Sequence, residues 1–288
     1  SSPSWHRGVA LCGWRFQGSR QDFCTQANYE EHIAYFQEQG IDFDTVILDD
    51  FWGDPRRHGI WKCDETRWPD LRGFVEKRHA EGRHVLLWVC TYGSGLPEEE
   101  LLDGTMQNLD SPAWRRRLRE DAHRMLSADP GCYNADGIKY DFTALLPRKP
   151  GCCSVCGVGY LRERFRLVYE AMTAVKPEAL ILCQSVNPYF TPWQSMIRLN
   201  DFTALPCHGL EEMRIRSRIA QASGYDLPVD PDHVSFGAFS YRGGYDFFRE
   251  MESLGIVSLY LNREDLADPE SREILRALVR RNTLRHRS

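Results

Sequence analysis

Eight short apolar segments, most of them followed by a helical stretch, constrain the fold of this chain more than any other feature. The segments are rich in Val, Ile, Leu and aromatic residues and are more continuous than alternating, which is typical of parallel strands buried on both faces. Such an α/β pattern predicts a single (β/α)8 TIM barrel domain over residues 1–288, with a doubly wound open sheet as the alternative. The predicted strands are residues 9–16, 45–52, 84–90, 137–143, 180–185, 196–202, 234–240 and 256–261.

The segments between the strands are consistent with the barrel. No glycine-rich phosphate loop follows an early strand, which argues against a nucleotide-binding open sheet. The segment between the fifth and sixth strands is too short for us to expect a full helix there. Helices are predicted at residues 28–39, 71–81, 112–126, 159–175, 210–223, 245–254 and 271–285.

Composition excludes several classes of protein and of partner. Hydrophobic residues make up 42% of the chain and charged residues 27%, so a packed core is expected and disorder is not. The formal net charge is -5 and no basic stripe stands out, so nucleic acid is not an expected partner. No stretch approaches the ~20 apolar residues that a bilayer crossing needs, so no membrane partner is expected either. Cytoplasmic and exported locations both remain open, as does the oligomeric state.

Charged and aromatic side chains collect at the predicted C-terminal ends of the strands. In a barrel these ends and the loops after them share one face, the face that carries activity. Buried charges cost several kcal/mol unless they pair or face a wet pocket, so packing alone does not explain them. Carboxylates bind hydroxyls and tryptophans lie against sugar faces, so the set indicates a polyol-binding site. The candidates are Trp14, Asp49, Asp50, Trp52, Trp88, Lys139, Asp141, Arg198 and Asp201.

Two of these carboxylates, Asp141 and Asp201, end the fourth and sixth predicted strands. Two carboxylates at the ends of two core strands are what acid/base or nucleophilic sugar chemistry needs. The alternative is that each Asp only caps the following turn. Lys139 could neutralise Asp141, which would also keep that carboxylate ionised for attack, and Arg198 could do the same for Asp201.

The order of these motifs resembles the catalytic barrel of glycoside hydrolase clan D, which joins families 27, 31 and 36. Residues 45–52 (TVILDDFW) are similar to the Asp-Asp-x-Trp strand of the α-galactosidases. Residues 137–142 (GIKYDF) are similar to the nucleophile strand, and residues 198–201 (RLND) to the acid/base strand. The resemblance is nearest to the family 36 and family 27 α-galactosidases, with family 31 next.

That resemblance implies a retaining α-glycosidase with Asp141 as nucleophile and Asp201 as acid/base. Asp49 and Asp50 would hold sugar hydroxyls, Trp88 and Lys139 would shape the same subsite, and no cofactor would be required. An oligosaccharide or glycoside is the expected partner, with α-galactosides preferred because two adjacent carboxylates can hold neighbouring hydroxyls. The alternatives are a family 31-like α-glucosidase or α-xylosidase, and a carbohydrate-binding barrel without turnover. The β-sandwich domains that flank the barrel in the family are not expected within these 288 residues.

Three of the ten cysteines, Cys152, Cys153 and Cys156, form a cysteine cluster directly after the fourth predicted strand. Three thiols in a short Gly-flanked loop could bind a structural zinc ion, with a fourth ligand from another loop. They could instead form disulfides if the protein is exported, or belong to an ordinary loop. We predict that the cluster orders the loop at the mouth of the site rather than taking part in chemistry. The candidates for a fourth ligand are Cys24, Cys63, Cys207 and His208.

Overall fold

The protein folds as a barrel of eight parallel strands, as the sequence predicts. The computed structural model describes residues 2–16, 23–148, 153–201, 205–224, 226–232 and 234–286. The strands pair in the order β8-β1-β2-β3-β4-β5-β6-β7. Ile256 N donates to Val229 O at 2.8 Å beside the two end strands, so the sheet nearly closes. The strands are β1 Ala10–Cys12, β2 Thr45–Leu48, β3 His84–Cys90, β4 Gly137–Asp141, β5 Leu180–Cys183, β6 Met196–Arg198, β7 Val229–Asp230 and β8 Ser258–Leu259.

Seven α-helices of the described residues surround the strands. Residues 184–195, between β5 and β6, are all described and contain only the 3-10 helix Thr191–Trp193, so the expectation of no full helix there is confirmed. None of the helices in the described part of the chain has the length and apolar character that a membrane crossing requires. The helices are α1 Gln26–Glu38, α2 Leu71–Ala80, α3 Pro112–Leu126, α4 Gly157–Val175, α5 Gly209–Ser223, α6 Gly243–Leu254 and α7 Pro269–His286.

Side-chain caps fix where the first three helices begin. The Thr25 side chain accepts from Asn28 N before α1, and the Asp70 side chain accepts from Gly73 N before α2. Ser111 caps α3 in the same way, and its neighbour in sequence is a proline, which suits the first helical turn. These caps satisfy amide groups that no helical carbonyl can reach and so set the lengths of the loops leaving β1, β2 and β3.

The predicted seventh strand is wrong. Residues 234–240 form a loop, and β7 is Val229–Asp230, a few residues earlier. Pro228 and Pro231 flank the true strand and an aspartate lies within it, so this segment has no run of apolar residues that would predict a strand. The apolar residues Val234 and Phe236 suggested a strand, but in the structure they are buried as loop residues. The predicted sixth strand also extended to residue 202, which lies outside the described residues.

Side chains of the strands alternate between the barrel interior and the surrounding helices. Ile47 packs in the interior, while Val46 and Leu48 pack in the larger core beneath the helices. Leu86 and Leu182 fill the same interior layer. Above this apolar layer, toward the C-terminal ends of the strands, the buried side chains become charged. The buried polar residues therefore lie directly on the C-terminal side of the apolar barrel interior. These buried charged residues are Asp49, Lys139, Arg198, Asp230 and Asp232.

Candidate active site

A cavity of about 710 Å³ opens at the C-terminal ends of the strands. Its walls come from the ends of β2, β3, β4, β5 and β6 and from the loops that follow β1, β3, β4 and β6. Eight of the nine predicted site residues line it, and Trp52 does not. The lining residues are Trp14, Asp49, Asp50, Phe51, Trp88, Tyr92, Lys139, Asp141, Phe142, Ala144, Leu145, Gln184, Arg198, Asn200 and Asp201.

Asp141 is the last residue of β4 and is held by three donors. Trp88 Nε1 donates to its Oδ2 at 2.9 Å, and Arg198 Nη2 donates to its Oδ1 at 2.6 Å. The following amide, Phe142 N, also donates to Oδ1 at 2.9 Å, so the Asp does cap its turn. Burial pushes the pKa of Asp141 upward, but the charges of Arg198 and Lys139 and these hydrogen bonds outweigh burial and leave the pKa below its ordinary value. The carboxylate is therefore ionised and fixed in orientation.

Asp201 lies three residues after Arg198, on the loop that leaves β6. Its Oδ1 lies 3.8 Å from Arg198 Nη1, and its side chain is 59% exposed. The preceding residue, Asn200, accepts from Gln184 Nε2 at 2.6 Å, which ties this loop to the end of β5. Asp141 and Asp201 thus flank one guanidinium, the first rigid and mostly buried, the second open to the cavity.

Lys139 pairs with Asp49 rather than directly with Asp141. Its Nζ lies 2.6 Å from Asp49 Oδ2, which also accepts from the Cys12 thiol at 3.0 Å. Burial lowers the pKa of Lys139, but the Asp49 charge prevails and raises it above the ordinary value, so the amine stays charged. Asp49 Oδ1 accepts from Asp50 N at 2.9 Å. The ion pair therefore consumes most of the hydrogen-bonding capacity of Asp49.

Arg198 has a second partner that sequence reasoning missed. Its Nη1 donates to Asp232 Oδ1 at 2.8 Å, two residues after β7. Burial lowers the pKa of Arg198, but Asp232 and Asp141 raise it well above its ordinary range. Asp230 lies beside this pair, where burial and the Asp232 charge raise its pKa, and it accepts from Tyr260 Oη at 3.3 Å. In the sequence both aspartates lie in the acidic segment 228–232. Because the seventh strand was predicted at residues 234–240, they were not recognised as residues at a strand end.

Of the aromatic candidates, two line the cavity and one is buried behind its wall. Trp88 and Trp14 line the cavity, and Trp14 is 36% exposed at its mouth. Trp52 is buried beneath the wall and donates from Nε1 to Trp88 O at 2.7 Å. The imidazole of His58, a residue not predicted, lies 3.1 Å from Asp50 Oδ1. Trp52 and His58 therefore support side chains that face the cavity.

Left-handed backbone conformations occur at four of the strand ends that form the site. Phe51, Phe142, Asn200 and Asp232 have φ values of 76°, 55°, 70° and 73°. Such conformations cost non-glycine residues about 1–3 kcal/mol each and persist where the surrounding structure fixes them. At Phe51 and Phe142 the turn is closed by the preceding aspartate accepting the residue's own amide. The strained turns therefore fix the orientation of Asp50 and Asp141.

The cysteine cluster lies only partly within the described residues, because Cys152 falls outside them. Cys153 and Cys156 are free, as are the other seven described cysteines. Among the residues that the structure describes, no group of three or more His, Cys, Asp or Glu is placed to hold a metal ion. Two of the suggested fourth ligands are engaged elsewhere, since Cys24 donates to Asp49 O and Cys63 to Trp68 O. The zinc site stays a prediction.

The structure is thus a TIM barrel in which two carboxylates, Asp141 and Asp201, lie on the C-terminal side of β4 and β6. Residues 1–141 match the family model of the glycosyl hydrolases family 31 TIM-barrel domain. The prediction that families 27 and 36 are nearest is not supported, because family 31, placed next, is the one that matches. No curated protein sequence matches the chain.

Solved structures with the same fold include a cycloalternan-degrading enzyme and a glucosidase. The cycloalternan-degrading enzyme from Trueperella pyogenes aligns over 100% of this chain and 49% of its own, with a TM-score of 0.74 and 15% identity. The same enzyme in complex with isomaltose gives a TM-score of 0.72 at 13% identity, over 100% and 49% of the two chains. The glucosidase II alpha subunit aligns over 97% of this chain and 34% of its own, with a TM-score of 0.72 and 13% identity. This chain spans about half or less of the length of these proteins.

Proposed function

We propose that this barrel is a retaining α-glycosidase in which Asp141 is the nucleophile and Asp201 the acid/base. The observation that carries the proposal is the arrangement around Arg198. One guanidinium lies 2.6 Å from a mostly buried, ionised Asp141 and 3.8 Å from the open Asp201. A shared guanidinium is compatible with the separation of about 5–5.5 Å that retaining enzymes use between their carboxylates.

The chemistry follows from the different environments of the two carboxylates. Asp141 attacks the anomeric carbon as the bond to the leaving oxygen breaks, and Asp201 gives its proton to that oxygen. Asp201 then takes a proton from water, which attacks the anomeric carbon and releases Asp141. Arg198 and Trp88 hold Asp141 in line during both steps, so little reorganisation is needed. Neither step uses a metal or an organic cofactor.

We propose α-linked glucose oligosaccharides as the substrates, with α-xylosides as the nearest alternative. Support comes from the match of residues 1–141 to the family 31 domain and from the likeness to the cycloalternan-degrading enzyme and glucosidase II. The contacts of Asp49 agree with this choice. Because its carboxylate is bound by Lys139, Cys12 and Asp50 N, it does not offer a free partner to a second sugar hydroxyl.

A panel of aryl α-glycosides tests the proposal. We expect the α-glucoside to be hydrolysed faster than the α-galactoside. Asp141→Ala should lower turnover by several orders of magnitude, since it removes the covalent route. Asp246→Ala, on the exposed face of α6, serves as the matched control and should leave turnover unchanged. Faster hydrolysis of the α-galactoside would contradict the substrate class, and loss of turnover in neither variant would contradict the assignment of Asp141.

A further inference from the structure

A Cys-His-Asp chain of contacts lies at the opposite end of the barrel from the cavity. Cys132 Sγ lies 3.5 Å from His123 Nδ1, and His123 Nε2 lies 2.9 Å from Asp129 Oδ2. His123 belongs to the last turn of α3, and the other two residues lie in the loop that enters β4 at its N-terminal end. The three residues therefore have no contact with the glycoside site.

The loop that carries the thiol is held in place by a single arginine of α2. Arg72 Nη1 donates to Asp129 O at 2.7 Å and to Cys132 O at 2.9 Å, and its Nη2 donates to Ala128 O at 2.9 Å. Gly131, with φ +85°, allows the tight turn between them, and Cys132 N closes it on Asp129 O at 3.1 Å. The positions of sulfur and carboxylate relative to α3 are thus fixed by backbone contacts.

Reagents can reach this thiol through a groove of about 450 Å³. Cys132 is only 8% exposed, so the groove admits small molecules more readily than a protein surface. Two arginines, Arg119 and Arg124, contribute positive charge to its walls, and positive charge stabilises a thiolate. The groove is lined by Arg119, Glu120, His123, Arg124, Pro130, Gly131 and Cys132.

We propose that Cys132 is a histidine-activated thiol and a site of thiol–disulfide exchange with small disulfides. The contact with Asp129 assigns the Nε2 proton of His123 to that hydrogen bond, which leaves the Nδ1 lone pair facing the thiol. His123 takes the thiol proton, the Cys132 sulfur attacks one sulfur of the small disulfide, and that S–S bond breaks. The departing thiolate takes up the proton from His123, so that a mixed disulfide and a free small thiol result.

The other thiols of the chain provide internal references. Burial raises the pKa of Cys63 to about 12, and burial likewise raises the pKa of Cys24 and Cys90. Cys156 and Cys207 are more exposed than Cys132, so simple accessibility predicts that they react first. A Cys132 that reacts ahead of these two thiols would show activation rather than exposure.

Site-resolved mass spectrometry of the native full chain, first reduced and treated with a chelator so that the thiols of the cysteine cluster are free, tests the proposal with limiting iodoacetamide and separately with hydroxyethyl disulfide. Each rate is divided by the rate of the same cysteine in denatured protein. We expect Cys132 to react faster than Cys156 with both reagents, and His123→Gln to slow it by about tenfold or more while leaving Cys156 unchanged. Asp129→Asn should slow it by a smaller factor.

Thermal melts of the variants show whether a slower reaction of Cys132 results from unfolding rather than from loss of His123 or Asp129. His123 and Asp129 are half or more exposed, with side-chain exposures of 53% and 67%, so both variants should melt near the wild type. The proposal is overturned if Cys132 reacts no faster than Cys156, or if His123→Gln leaves the Cys132 rate unchanged. It is equally overturned if that substitution slows both cysteines alike.

Discussion

Replacement of Arg198 by methionine should raise the pKa of Asp141 and destabilise the fold. Arg198 separates two carboxylates, Asp141 at 2.6 Å and Asp232 at 2.8 Å, and is itself buried. Opposite charges this close lower a carboxylate pKa by about 1–3 units, each unit being worth about 1.4 kcal/mol. Breaking a buried ion pair by removing one partner costs about 3–5 kcal/mol. We therefore expect Arg198→Met to lose about 3–5 kcal/mol of unfolding free energy at neutral pH.

The contribution of Asp141 to the free energy of unfolding depends on pH. The pKa of Asp141 in the folded protein is lowered, so its contribution to stability is full above the unfolded pKa and is lost as the pH falls through the folded value. Without Arg198 the largest of the interactions that lower this pKa is lost, and only those of Lys139, Trp88 and the Phe142 amide remain. The difference in stability between wild type and Arg198→Met should therefore be largest at neutral pH and shrink as the solution is acidified.

Urea unfolding from pH 7 to about pH 2, below the ordinary pKa of an aspartate, measures this difference, and the pH profile of kcat/KM measures the ionisation of Asp141. The acidic limb of that profile should move to higher pH by about 1–3 units in the variant. Arg198→Met/Asp232→Asn is the matched control, because it removes the second carboxylate together with its partner. We expect the double variant to be more stable than Arg198→Met. An acidic limb that does not move, or a double variant no more stable than the single one, would refute the reasoning.

Three further predictions concern Asp201, His6 and the cysteine cluster. Asp201→Ala should slow substrates with poor leaving groups far more than activated aryl glycosides, and azide should partly restore the second step; equal losses on both substrates would assign Asp201 to binding. Burial lowers the pKa of His6 from 6.5 to about 4, so acidification from pH 6.5 to 4 should cost the folded state about 3 kcal/mol, because the unfolded chain takes up the proton first. In urea unfolding His6→Gln should lose less stability over that range, and an identical loss would contradict the assignment. For the cysteine cluster, metal analysis beside a free-thiol count should show either about one zinc per chain or missing thiols, and ten free thiols without metal would rule out both.

The sequence predicted the barrel because its strand signals are strong and regular. Continuous apolar runs such as those of β2 and β3 are buried on both faces, and nothing in them competes with the strand interpretation. The candidate site was predicted from the same pattern, since Asp141 and Arg198 end strands that the structure contains near the predicted positions. The prediction of β7 was wrong because its two residues include an aspartate and lie between prolines, so the local sequence does not resemble a buried strand. With β7 misplaced, Asp232 could not be connected to Arg198.

The sugar preference shows a different limit of sequence reasoning. Asp49 and Asp50 are adjacent in sequence, and adjacency suggested two carboxylates offered to neighbouring hydroxyls of a galactoside. In the folded chain Asp49 is 1% exposed and is bound by Lys139, whereas Asp50 contacts His58 and lies on the cavity wall. Lys139 comes from β4, some ninety residues away, so no local pattern could reveal that it occupies Asp49. Because Asp49 is engaged in a buried ion pair, the argument for galactose no longer holds. How many carboxylates can bind sugar hydroxyls depends on contacts between distant strands of the barrel and cannot be read from the Asp49-Asp50 motif alone.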